Sequence, residues 1–120
     1  MAPMREWTSA DVWVLKILIG TGSENPSDLG DIVMRGDAME HAVLEEREFT
    51  TAAGNLVAAG LVEFGDDGYW LTEAGRELTN RRRDIERRLV RLGEPRGTPL
   101  ELAPGEFTRA VDGYLGRFAS

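Results

Sequence analysis

Asp37, His41 and Glu45 stand four residues apart, so a continuous helix through them would align one imidazole and two carboxylates. That spacing could hold a divalent metal. The competing reading is a histidine near a helix end in an acidic neighbourhood, because Gly36-Asp37 reads as one helix start and a new helix opens near Glu45. The second reading is preferred, and no metal ligands or cofactor are assigned. The chain has no P-loop and no supported Ser-His-Asp arrangement. "GTGSEN" (Gly20 to Asn25) lacks the preceding strand and the third glycine of a dinucleotide fingerprint. Its carboxylates are many, but none is singled out by its surroundings, so an enzyme is not expected.

The most basic element is "RRRDIERRLVR". From Arg76 to Arg91 there are seven arginines against Glu77, Asp84 and Glu86, a balance of +4. Such a run could track phosphates, with Arg82 as its representative. It could also be a solvated helix, since Glu77 with Arg81 and Asp84 with Arg88 have the acid-first i, i+4 order. A third reading sets it against the acidic half of a second copy. Residues 1–60 carry 4 basic and 10 acidic side chains, whereas residues 61–120 carry 10 and 11. The whole chain is at −7, which opposes long-range attraction to a polyanion.

A chain of 120 residues is sized for one domain. It contains no cysteine, so neither a disulfide framework nor a zinc ribbon is available. Its longest apolar run, "VWVLKILI", is interrupted by Lys16 and falls short of the roughly 20 residues that span a bilayer. "MAPMREWTSAD" has no basic segment followed by an apolar one. The expectation is a soluble, cytoplasmic protein without membrane contact.

The elements follow from caps and periodicity. Thr8 or Ser9 can cap a first helix whose residues Val12 to Ile19 are almost all apolar, so that helix is expected to be central. Ser27 can cap a second helix ending near Gly36, and Asp37 a short third one through Val43. A longer helix, about Glu45 to Ala59, carries Phe49, Ala52, Ala53, Leu56 and Val57 at three- and four-residue steps and stops at Gly60. "LVEF" and "YWL" flank "GDDG" as a tight hairpin, with Leu61 and Phe64 expected to seal it onto the core. Thr72 caps a helix expected to run to about Leu92, with Ala74, Leu78, Ile85, Leu89 and Leu92 as its apolar line. After "GEPRGTP", Phe107, Val111, Tyr114, Leu115 and Phe118 mark an amphipathic last helix. Trp7, Trp13, Trp70, Tyr69 and Phe64 could line a small-molecule pocket, or simply be core.

The phrase "LVAAGLVEF…YWLTEAGREL" resembles winged-helix transcriptional regulators of the MarR and PadR types, in which a helix ends in an "aGLv" turn, enters a wing and returns through "LTeaGr". The likeness covers about residues 9–80, and the residues from 81 on match no such motif. It implies a mainly α fold with a small β-hairpin: a winged helix-turn-helix domain over 8–80, with a C-terminal helical extension over 81–120. It also implies that the helix before the wing enters a major groove. There Arg47, Thr51 and Asn55 can share one face, with arginine suited to guanine and asparagine to adenine. Glu45, Glu46 and Glu48 on that helix, and Asp66 and Asp67 at the wing tip, oppose this role.

In PadR-like regulators the helices after the wing serve dimerisation. The resemblance therefore assigns a homodimer interface to Leu78, Ile85, Leu89, Leu92, Phe107, Val111, Leu115 and Phe118. Two functions stand side by side: a DNA-binding regulator, and an acidic winged-helix protein-interaction module without DNA binding. Their partners are DNA, a second copy or another protein.

Overall fold

The computed structural model describes residues 5–116. The first helix, α1 (Ser9–Ile17), starts where its cap dictates: the Asp11 carboxylate accepts from the Thr8 amide at 2.7 Å, and the Asp11 amide donates to Thr8 Oγ1. As its apolar run requires, α1 is central and packs on the second, third and fourth helices. The second helix, α2 (Leu29–Glu40), is capped by Asp28 rather than Ser27 and runs straight through Gly36. Gly36 is a packing position. A Cβ there would stand 3.2 Å from Ile17 Cδ1 and 3.4 Å from the Trp13 ring, and the Gly36 carbonyl accepts from the Trp13 indole. The expected short helix from Asp37 is therefore the end of α2, which stops at His41 in the left-handed region.

The third helix, α3 (Glu46–Ala58), is followed by Gly60 at φ +75°. Strands β1 (Val62–Gly65) and β2 (Gly68–Leu71) pair antiparallel with Val62 opposite Leu71 and Gly65 opposite Gly68, leaving Asp66 and Asp67 as a two-residue turn. Ser27 adds a third short rung, exchanging both backbone hydrogen bonds with Tyr69 at 2.8 and 2.9 Å. Thr72 then caps α4 (Glu73–Thr79): its hydroxyl accepts from the Gly75 amide and donates to the Gly60 carbonyl at 2.6 Å, tying the new helix to the end of α3. Leu61, Val62, Tyr69 and Leu71 seal the hairpin. Phe64 does not: it is 51% exposed, because it stands one step from the turn, beyond the edge of the core, with its ring beside Tyr69.

The expected long helix from Glu73 to Leu92 is two helices. Thr79 bonds back to the carbonyls of Gly75 and Arg76, the chain leaves helical geometry over 80–84 with Asp84 at φ +65°, and α5 (Ile85–Arg91) follows. Arg88 spans the break, donating to the Leu78 carbonyl at 2.8 Å and to Asn80 Oδ1. The break turns Ile85 and Leu89 into the chain's own core. The last helix, α6 (Glu106–Gly116), lies on α2, with Phe107 stacked on Phe49 at 6.0 Å and the Tyr114 hydroxyl donating to Asp37.

One hydrophobic cluster therefore includes side chains from both sides of residue 80. Phe49 sits within it, fully buried, edge-on to Tyr69 at 5.1 Å. Replacing Phe49 with alanine should cost about 3–5 kcal/mol in a urea titration. A loss below about 1 kcal/mol would contradict its central position.

Candidate nucleic-acid interface

The helix before a wing can read DNA only if the face turned away from the core is open. On α3, Phe49, Ala52, Ala53 and Leu56 form the inward face and are buried. Gly54 lies about 100° to 160° around the axis from these residues, on the outer side, and it too is buried. What covers it is the segment 93–102, which crosses α3 as an extended strap. A Cβ on Gly54 would stand 1.8 Å from the Thr98 carbonyl oxygen, and one on Gly97 2.1 Å from the Gly54 carbonyl oxygen. Only two glycines allow the backbones to meet this closely.

Polar groups hold the strap at both ends of the crossing. The Leu100 amide donates to the Thr50 carbonyl at 3.0 Å, Arg5 Nη1 to the Gly97 carbonyl at 3.1 Å, and the Trp7 indole to the Gly93 carbonyl at 2.8 Å.

This geometry corrects the expected reading face. Asn55 is 4% exposed, its Nδ2 donating to Asp11 Oδ1 at 3.3 Å and its Oδ1 accepting from Arg5 Nη2 at 3.0 Å. Its amide is held at one end by Asp11 in the first turn of α1 and at the other by Arg5 before that helix, and so buried a side chain is not presented to a base edge. Thr51 is half-buried and Arg47 is exposed beside Glu45 and Glu46. Arg82 is exposed too, but it borders a hollow of about 470 Å³ with Val12, Lys16 and Arg87, which none of Arg47, Thr51 and Asn55 lines. The four residues do not converge on one surface.

The hairpin tip is equally unsuited to phosphates. A cleft of about 600 Å³ between the hairpin, the N-terminal end of α2 and the strap is lined by Asp28, Asp66, Asp67, Glu101 and Glu106, with no lysine or arginine. Burial, and secondarily the charge of Glu106, pushes the Tyr69 phenol up to about 12. The Tyr114 phenol is also raised, first by its hydrogen bond to Asp37 and then by burial.

The expected dimer residues are mostly committed within the chain. Ile85, Leu89 and Phe107 are buried in its core, Leu78 and Val111 pack against that core, and Leu92 and Leu115 are exposed. Phe118 lies outside the described residues. The alignment of Asp37, His41 and Glu45 does not form, because α2 ends at His41 and Glu45 precedes α3. Among the described residues, no group of three or more His, Asp or Glu could hold a metal ion. None of their helices is long and apolar enough to cross a membrane. Comparison with family models, curated proteins and solved structures gives no match.

Gly54→Ala separates a covered from a free helix face by the sign of its effect. On a free face alanine would stabilise α3 by about 1 kcal/mol. Under the strap it should destabilise by about 1–3 kcal/mol in chemical denaturation, and stabilisation would remove the strap from α3.

Alkaline pH reports on the burial of Tyr69. The folded phenol of Tyr69 holds its proton above the unfolded value of 10.0, so the unfolded chain loses protons first. Stability should therefore be fully present below pH 10 and fall as pH rises towards about 12. Tyr69→Phe should flatten that decline in thermal melts taken at increasing pH. An unchanged slope would contradict the assignment.

Proposed function

We propose that this chain is a winged-helix protein-interaction module of regulatory type whose third helix does not read DNA. The element order supports the winged-helix part: α1, the Ser27 rung, α2, α3 and a hairpin whose second strand accepts that rung. The regulatory part rests on the resemblance of "LVAAGLVEF…YWLTEAGREL" to MarR- and PadR-type proteins. The observation that carries the reading is the crossing of Gly97 and Thr98 over Gly54, which fills the outer side of α3 with the chain's own backbone. An acidic hairpin tip and an inward-turned Asn55 support it independently.

A second reading is favoured by one observation. Arg81, Arg82, Arg83 and Arg87 are all exposed around the break before α5, where they could contact phosphates irrespective of sequence. Fluorescence anisotropy with mixed-sequence duplex fragments at about 50 mM and 200 mM salt separates the two. The interaction module should show no saturation at about 10 µM protein in the lower salt, where a phosphate-tracking protein binds. Submicromolar binding lost on Arg47→Ala would overturn the proposal. Binding weakened equally for all sequences by Arg82→Ala would install the second reading in its place.

A further inference from the structure

Two exposed features of the chain are complementary to each other. The first is a groove of about 590 Å³ between the root of the hairpin, α4 and α5. Its apolar lining comes from Ala59, Leu61, Ala74, Leu78 and Leu92, and Leu92 is 54% exposed. Arg81, Arg88 and Arg91 border it, against the single carboxylate of Glu77. The second is the hairpin tip, where Phe64 is the only aromatic among the exposed large apolar side chains of the described residues. Asp66 and Asp67 follow it in the turn and are exposed. One surface is an apolar hollow edged with guanidinium groups, and the other is an aromatic knob edged with carboxylates.

We infer that the hairpin tip of one copy docks into the arginine-edged groove of a second copy, with Phe64 against Leu78 and Leu92 and the tip carboxylates facing Arg81 and Arg91. This rests on the protein-interaction reading and names the partner. When each copy offers its tip to the other's groove, the contact is isologous and closes as a pair. Exposed ion pairs contribute little each, so the buried phenyl ring supplies affinity while the charges fix orientation. Arginine also stacks favourably on an aromatic face. A net charge of −7 repels two copies in most orientations, which leaves the segregated positive groove as the place where a negative tip can approach. Nucleic acid suits the groove less well, since a phosphate backbone has no use for a leucine-lined floor.

Sedimentation velocity on the full chain tests this. At about 50 mM salt the chain should show a concentration-dependent dimer between about 5 and 500 µM, weakened several-fold at about 500 mM salt by screening. Phe64→Ser and Leu92→Ser, both at largely exposed positions where a cooperative melt should be retained, are each expected to weaken the dimer about tenfold or more. The charge reversals Asp66→Lys with Asp67→Lys, and Arg81→Glu with Arg91→Glu, should each give monomers. An equimolar mixture of those two variants should restore the dimer, because both contacts are then again of opposite sign.

A monomeric parent across the whole range, undiminished association of the Phe64 or Leu92 variants, or a mixture that stays monomeric would each overturn the inference. Duplex DNA binding abolished by Arg81→Glu with Arg91→Glu would overturn it as well, by making the groove a phosphate site. A monomer that binds no DNA defeats self-docking alone, whereas DNA binding lost on Arg47→Ala defeats the interaction reading beneath it.

Discussion

The backbone of Gly97 and Thr98 rests directly on the backbone of Gly54, and the C-terminal third of the chain is placed by that contact. With side chains at either glycine the strap would have to lift from α3 by more than an ångström. The hydrogen bonds from Arg5, Trp7 and Leu100 that hold it would then lose their geometry. Because the strap is held there, the chain emerges on the side of the molecule where α6 can lie along α2 and Phe107 can reach Phe49. The extension completes the core of the first eighty residues. It also converts α3 from a surface helix with one dry face into an element covered on two sides.

Local chemistry was legible in the sequence because its partners are close along the chain. Thr8 and Asp11 cap α1, Gly60 ends the turn after α3, and Thr72 starts α4, each through atoms within a few residues or across one hairpin. Periodicity was less informative, since it states which residues share a face and not what covers them. Ile85 and Leu89 have the spacing of a partner-facing line, yet they meet their own core once the helix breaks at Asn80, and Phe107 meets it because the strap brings α6 onto α2. The break has a weak sequence signal: a threonine that can bond backward, then asparagine and an aspartate able to adopt positive φ.

Asn55 leaves the expected reading face for a similar reason. Arg47, Thr51 and Asn55 do follow one another at helical spacing, but Asn55 lies far enough round the axis for Asp11 and Arg5 to capture its amide. Gly54 is an unfavourable residue inside a helix, and that cost was the available hint that something must pass close by. The acidic cleft was only half legible. Asp66 and Asp67 announce themselves at the tip, whereas Glu101 and Glu106 join them only because the strap returns to the hairpin. Charge that is scattered in sequence becomes segregated in space, and this gives the molecule a negative hairpin side and a positive groove beside α5.

Whether α3 is occupied by its own chain is read by nuclear Overhauser contacts in solution. Strong contacts are expected between an α proton of Gly54 and the α proton of Pro99 and between an α proton of Gly97 and the Asn55 amide proton, together with slow exchange of the Leu100 amide bonded to Thr50. Absence of those contacts, with Leu100 exchanging as in an unstructured peptide, would lift the strap from α3 and reopen that helix as a surface for DNA.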